Sequence, residues 1–326
     1  MNLGIAGEFR AVVLTADGEV KSDTGLQRNL ITNRGMDFFG GGYGESMFAY
    51  CLIGAGNQTP AVTDLELQSY LTYETPKGSK PTDFKYNYLD DGSGLYKTSR
   101  TCEYRFVAAS EMNVAEVALA SKRTGSSGAV FDLCTRALIK NAGGNPTSIT
   151  VLATEVLVIY YTLYQFFNIA DVIKTINVIS NTDGNIPYTT TARLALVGNS
   201  GYGHTVGRAL AVTSRTNDFN QQYSQSNLPL AAKESFPATF ESSWRYSLET
   251  FQPYVAGSNR RVYNIAFDLT NGNDPAGLRT LTIFTTMGAW QIQYSSVVGD
   301  NPIMKTVDHR LNLPIEFSWG RYVGAL

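Results

Sequence analysis

The histidines and cysteines, which are among the side chains most often used as general bases, nucleophiles or metal ligands, are few and scattered along this chain. They are two histidines and three cysteines: His204, His309, Cys51, Cys102 and Cys134. His204 follows a glycine-rich turn, but residues 198–202 lack the last glycine of the Gly-x-Ser-x-Gly elbow that presents a hydrolase serine. Because metal sites need clustered ligands, we expect neither a catalytic residue nor a metal ion.

Three glycine-rich segments match cofactor-binding loops only in part. Residues 40–44 (GGGYG) lack the Gly-Lys-Ser/Thr ending of a P-loop. Residues 54–56 (GAG) lack the third glycine of a dinucleotide fingerprint. Residues 90–94 (DDGSG) lack the downstream glutamate of a calcium loop. All three segments are predicted to be turns, and no cofactor is expected.

Aromatic side chains in loop-like surroundings are the candidates for contacting a partner or a receptor. They are Tyr70, Tyr73, Phe84, Tyr86, Tyr88 and Tyr202. Exposed tyrosine beside Asn and Ser binds sugars or proteins with little entropic loss. The alternative is that these rings pack against a neighbouring subunit.

The composition limits the function and the compartment. Charged residues make up 17% of the 326 residues, below the roughly 25% of an average soluble domain. The net charge of −2 provides no basic excess for a phosphate backbone, so nucleic-acid binding is not expected. Three widely spaced cysteines predict buried thiols rather than a disulfide framework. Without a signal-peptide pattern or an apolar run of about 18 residues, we expect a soluble chain that folds in the cytoplasm without membrane insertion.

The elements that must position these residues are predicted to be β-strands, because apolar residues recur with a period of two. The predicted strands cover residues 8–14, 19–22, 48–53, 101–108, 113–120, 129–139, 148–166, 188–197, 244–250, 261–268, 278–287, 290–298 and 306–319. Residues 148–166 are apolar or aromatic on both faces, which predicts burial on both sides. Residues 171–179 fit a helix or a strand, and their β-branched content favours a strand.

Two segments are predicted to depart from this pattern. Residues 60–68 (PAVTDLELQ) are predicted to hold one or two helical turns, with Thr63 or Asp64 as the N-cap. Residues 214–228 are predicted to be a long exposed loop, because they are polar and carry little charge.

These elements predict an all-β chain of two tandem antiparallel β-sandwich domains with short helical turns, residues 1–168 and 169–326. The alternating apolar residues of 157–163 can be laid on those of 311–317, and an Asn-Pro pair precedes each segment, Asn145-Pro146 and Asn301-Pro302. This similarity suggests a duplication. The alternative is that all buried strands look alike.

Three segments resemble bacteriophage tail and virion proteins. The first is NLITNRGMD, with Asn29, Leu30, Ile31, Thr32, Asn33, Gly35 and Asp37. The second is GAGNQTPAVTD, with Gly54, Gly56, Thr59, Pro60, Ala61, Thr63 and Asp64. The third is the SWGR ending, residues 318–321.

The resemblance implies a structural protein of the phage tail, a tail fibre or baseplate-associated component acting in tail assembly and host attachment. It implies no catalytic residue. The expected partners are further copies of the chain, other tail proteins, and a host surface glycan or pilus. A trimer is expected for a fibre and a ring for a collar. A neck or collar protein is the first alternative, followed by a glycan-degrading tail enzyme with paired carboxylates and by an unrelated β-sandwich binding module.

Overall fold

The computed structural model describes residues 2–40, 47–77, 85–88, 94–122, 130–168, 170–180, 184–195, 223–232, 248–251, 253–285 and 288–326. The chain is mostly β, as the period-two pattern predicts. One helix occurs in these residues, α1 (Asn33–Gly40). The strands are β1 (Asn2–Leu14), β2 (Val20–Asp23), β3 (Gln27–Arg28), β4 (Leu30–Ile31), β5 (Tyr50–Gly54), β6 (Tyr70–Glu74), β7 (Lys85–Tyr88), β8 (Leu95–Val107), β9 (Met112–Val114), β10 (Glu116–Lys122), β11 (Phe131–Leu133), β12 (Thr135–Leu138), β13 (Ile149–Val151), β14 (Val156–Asn168), β15 (Val172–Ser180), β16 (Gly184–Leu194), β17 (Tyr223–Ser226), β18 (Leu248–Phe251), β19 (Arg260–Phe267), β20 (Thr280–Thr285), β21 (Gly288–Ser296) and β22 (Leu311–Arg321).

Three large sheets carry the fold. A nine-stranded sheet has the order β18-β19-β22-β1-β14-β8-β7, with β2 and β3 also paired to β1. A six-stranded sheet has the order β4-β12-β10-β5-β6, with β11 paired to β10, and a five-stranded sheet has the order β15-β16-β21-β20-β17. A further pair joins β13 and β9. Among the described strand pairs, β1 with β22 is the parallel one.

The core lies on one face of the nine-stranded sheet. Tyr161 of β14 is fully buried, and its hydroxyl lies 2.6 Å from Thr135 Oγ1 of β12 in the six-stranded sheet. Phe167, further along the same strand, packs against Trp290 of β21 in the five-stranded sheet. Burial of β14 on both faces, predicted from its sequence, is confirmed, because Val158 and Phe166 on the opposite face are also buried.

The helical prediction for residues 60–68 is wrong. In this segment the Asp64 carboxylate accepts the Ala61 N–H, and the Gln68 side chain accepts the N–H groups of Asn57 and Gln58. Such local side-chain bonds satisfy the backbone without a helix. The observed helix, α1, lies instead in residues that resemble a phage turn motif.

Other predictions for particular segments have mixed outcomes. Residues 171–179 form a strand, β15, as favoured. The loop prediction is wrong for residues 223–226, which form β17, whereas residues 214–222 lie outside the described residues. The predicted boundary at residue 168 stays a prediction. It falls between β14 and β15, and β18, β19 and β22 later return to the nine-stranded sheet.

Candidate functional site

The structure places two of the predicted contact residues side by side on the outermost strand of the six-stranded sheet. Tyr70 and Tyr73 lie on β6, with 47% and 40% of their surfaces exposed. Tyr86 and Tyr88 lie on β7, of which only the backbone is described. Phe84 and Tyr202 lie outside the described residues.

Four rings form a continuous aromatic patch, which comprises Tyr50, Tyr70, Tyr73 and Phe131. Phe131 contacts the other three, with ring centroids 5.1 Å from Tyr50, 5.1 Å from Tyr73 and 6.5 Å from Tyr70. Tyr50 and Tyr73 meet edge to face at 5.4 Å. Aromatic pairs favour such tilted arrangements, so the patch is a preformed surface.

The register of the sheet explains why these rings meet. Ala120 of β10 pairs with Tyr50 of β5 and with Leu133 of β11. Its small side chain lets rings from neighbouring strands lie over the sheet. Ala120, Ala118 and Leu133 belong to a small buried cluster against which Tyr50 and Phe131 pack. The aromatic patch therefore covers a small apolar cluster that is separate from the main core.

The charges near the patch are paired. Lys77 Nζ lies 3.5 Å from Glu74 Oε2 at the end of β6, and Arg34 Nε lies 3.9 Å from Asp132 Oδ1 beside Phe131. Desolvation, and to a smaller extent Tyr73, raises the pKa of Tyr70 above its ordinary value. The Tyr70 hydroxyl is therefore neutral at physiological pH and can donate a hydrogen bond to a sugar or a carbonyl.

A second feature, the motif junction, comprises residues 31–37, 54–64 and 319–321. Part of it surrounds a buried ion pair between Glu116 of β10 and Arg136 of β12, which are 0% and 2% exposed. Glu116 accepts the N–H groups of Gly56 and Ser69 at 3.1 and 2.8 Å. A Cβ atom at Gly54 would lie 2.6 Å from Glu116 Oε1, so this glycine lets the carboxylate approach the backbone.

Arg136 extends this network to the second resemblance segment. Its Nε donates to Glu116 Oε2 at 2.9 Å, its Nη1 to Asp64 Oδ2 at 2.6 Å and its Nη2 to the Gln58 carbonyl at 3.1 Å. One guanidinium thus fixes the turn that carries Thr59, Pro60 and Asp64. Sequence reasoning missed this pair, although a charged residue inside each of two apolar strands is a visible signal.

The rest of the motif junction surrounds α1. Thr32 caps the helix, because its Oγ1 accepts the Gly35 N–H at 3.0 Å and also donates to the Leu133 carbonyl. A Cβ atom at Gly35 would overlap the Cys134 carbonyl, which explains glycine at this position. The Asn33 N–H donates to the Val62 carbonyl at 2.7 Å and so joins the first two resemblance segments.

The third resemblance segment closes on the same helix. Trp319 Nε1 donates to the Met36 carbonyl at 2.8 Å. Arg321 donates through Nε to the Ile31 carbonyl and through Nη2 to Asn33 Oδ1, both at 2.7 Å. The half-buried Arg321 guanidinium has a pKa below its ordinary value because of desolvation. Three segments far apart in sequence therefore meet at one helix.

The histidines and the cysteines are the remaining candidates for chemistry. His309 lies before β22, and its Nδ1 is 2.7 Å from Thr306 Oγ1. His204 lies outside the described residues. In the described ranges, no three His, Cys, Asp or Glu side chains are placed to hold a metal ion. The three cysteines are free and buried, as predicted.

No helix in the described part of the chain is long and apolar enough to span a membrane. Comparisons of the chain with protein-family models, with curated proteins and with solved structures give no match.

Proposed function

We propose that this chain is a structural protein of a bacteriophage tail, a tail fibre or baseplate-associated component that acts in tail assembly and host attachment. It works by contact and not by turnover of a substrate. The observation that carries this proposal is the motif junction, where all three segments that resemble tail proteins meet at α1.

The roles of the motif residues support a structural reading of the resemblance. Thr32 caps a helix, Asp64 accepts bonds from a turn and from Arg136, and Trp319 anchors the last strand to α1. These are requirements of folding and none is a step in catalysis. A shared architecture of virion proteins would require contacts of this kind.

The aromatic patch is the surface that we assign to a partner. Tyr and Phe are enriched in the cores of protein interfaces, and tyrosine also stacks on sugars. The partner is a neighbouring tail protein or a host surface glycan or pilus. The two tyrosine hydroxyl groups at the exposed edge fit either partner, because both offer carbonyl or hydroxyl groups.

The location and the oligomeric state that we propose follow from the resemblance to tail proteins. The chain resides in the virion tail, as a trimer in a fibre or as a ring in a collar. The division into two tandem β-sandwich domains at residue 168 stays a prediction, and such domains would share the nine-stranded sheet, to which β18, β19 and β22 return. A neck or collar protein is the alternative that the resemblance allows, and a glycan-degrading tail enzyme is less favoured because the described site residues serve packing.

The proposal is tested by a paired variant, Tyr70→Ala with Tyr73→Ala, introduced into the phage that encodes the chain. If the patch binds the host, particles assemble normally and adsorb more slowly. If it binds a neighbouring subunit, the yield of intact tails falls. Tyr160→Ala, at a half-buried tyrosine on the nine-stranded sheet, is the control and should change neither quantity. Absence of the chain from purified particles by mass spectrometry would refute the proposal.

A further inference from the structure

The outer edge of the five-stranded sheet is long and exposed. Its first strand, β15, has nine residues and pairs with β16 alone among the described strands. The other outermost strands of the large sheets, β18, β7, β4, β6 and β17, have five residues or fewer. Ile173 and Ile179 on β15 are 66% and 79% exposed, so the edge is open to solvent.

This edge carries little of what keeps natural edge strands from pairing. Such strands are short, or they carry charged side chains, above all lysine, or proline or a bulge. The sequence of β15 is VIKTINVIS, which contains one charge, Lys174, and neither proline nor glycine. Its pairing with β16 runs without a register shift from Val172 to Ser180. Such a strand is suited to accept another strand.

The hydrogen-bond pattern shows which residues face outward. The Val297 N–H donates to the Pro187 carbonyl, so odd-numbered residues of β16 direct their backbone groups to β21. The backbone N–H and C=O groups of even-numbered β16 residues therefore bond to β15. In this register each even-numbered residue of β16 lies opposite an even-numbered residue of β15. Among the described strands, the N–H and C=O groups of β15 that find no partner are those of its odd-numbered residues, from Ile173 to Ile179.

The edge is complementary to itself. In an antiparallel pair of two β15 strands centred on Ile176, the outward-bonding residues pair with one another, Ile173 with Ile179 and Thr175 with Asn177. Ile173 of one copy then lies opposite Ile179 of the other copy, and both side chains lie on the same face of the joined sheet. Lys174 lies opposite Val178, and the two lysines are about 13 Å apart. That separation exceeds the Debye length of about 8 Å at physiological ionic strength.

Apolar surface continues beyond the end of the strand. Ile179 lines a cleft of about 360 Å³ together with Val298 and Met304, which are 82% and 53% exposed. In the centred register the beginning of the second β15 strand would lie beside this cleft. Exposed apolar surface at a sheet edge favours association over a solvated monomer.

We infer that β15 pairs with β15 of a second copy of this chain, in the antiparallel register centred on Ile176. The pair is a twofold contact that joins two five-stranded sheets into one continuous sheet. The inference does not rest on the tail assignment. The twofold contact adds to a trimer or ring and does not replace it.

The test is sedimentation velocity of the purified full chain with complementary charge variants. Thr175→Lys with Asn177→Lys places like charges opposite each other in the proposed register, and Thr175→Glu with Asn177→Glu does the same with opposite sign. Each double variant alone should dissociate at least roughly tenfold more readily than the unmodified chain. A mixture of the two should associate again, because every lysine then faces a glutamate.

The matched control places the same charges one strand inward. Thr189→Lys with Thr191→Lys lies on β16, at positions paired with Thr175 and Ile173, and should leave the association unchanged. Far-UV circular dichroism checks that each variant is folded. The inference is overturned if the unmodified chain is monomeric at all concentrations, or if the lysine variant sediments as the same assembly as the unmodified chain. Failure of the mixture to associate would also overturn it.

Discussion

At the scale of single residues, the pair of Glu116 and Arg136 is the part of the motif junction most sensitive to change. Both side chains are almost fully buried, and together they hold two turns and two strands. Removing Glu116 leaves the buried Arg136 guanidinium with Asp64 as its remaining described carboxylate partner, and removing Arg136 leaves the Glu116 carboxylate buried without that cation. Either loss costs more than the pair itself contributes.

We therefore expect Glu116→Gln to lower the free energy of unfolding by about 3 kcal/mol. Urea denaturation measures the change. Glu316→Gln, in the exposed pair with Arg260, is the control and should change the free energy of unfolding by less than about 0.5 kcal/mol. Equal effects of the two substitutions would show that burial does not set the strength of the Glu116 contact.

The cysteines allow a prediction about pH. Burial raises the pKa of Cys134 to about 12, and it also raises the pKa values of Cys51 and Cys102. Because a raised pKa keeps a thiol protonated, the reactive thiolate is scarce at neutral and mildly alkaline pH. The folded chain should react slowly with a thiol-specific chromogenic disulfide below the raised pKa values, and all three thiols should react once guanidinium chloride unfolds it. Rapid labelling of the folded chain would contradict the buried placement.

Sequence reasoning named two of the four rings of the aromatic patch. Tyr70 and Tyr73 were named as aromatic residues in loop-like surroundings, whereas the structure places them on a strand, β6. Tyr50 and Phe131 were missed, because they come from strands far apart in sequence and meet the others only through the register of β5, β10 and β11. Glu116 and Arg136 each stand as a charged residue in an apolar strand, but their pairing follows only from the packing of β10 against β12.

At the scale of elements, α1 was not predicted from the spacing of apolar residues in the sequence. The helix has eight residues and contains glycine at two positions, so no long amphipathic repeat marks it. Its stability comes from the Thr32 cap and from tertiary contacts. The strands were predicted better, because alternation along a half-buried strand is a direct consequence of its geometry. β22 follows that rule from Leu311 to Trp319, whereas β14 is buried on both faces and shows no such alternation.

Thr32→Val tests the cap while keeping the volume of the side chain. The Gly35 N–H and the Leu133 carbonyl both lose a partner, so we expect the free energy of unfolding to fall by about 1–2 kcal/mol. Thr63→Val, at an exposed turn position, is the control and should be nearly neutral. Urea denaturation of both variants makes the comparison, and a neutral Thr32→Val would remove the cap from the account.

At the scale of the whole molecule, strands from both ends of the chain share one sheet. β1 pairs in parallel with β22, and Trp290 of the five-stranded sheet contacts both Phe317 and Phe167 of the nine-stranded sheet. The sequence pattern could not predict this, because pairing between residues 2–5 and 318–321 leaves no periodic signal.

These contacts predict a single cooperative unfolding transition. Tryptophan fluorescence and far-UV circular dichroism should give the same midpoint in urea, because the large sheets share one apolar core. Two separated transitions would instead favour two autonomous domains divided near residue 168.

The proposal that this chain is a contact-making component of a phage tail is best tested by a cryo-EM map of intact particles that resolves side chains. We expect to find the chain in the tail, with Tyr50, Tyr70, Tyr73 and Phe131 facing outward at an attachment surface or covered by a neighbouring tail protein. A particle that lacks the chain, or one in which the aromatic patch faces solvent away from every partner and every host contact, would contradict it.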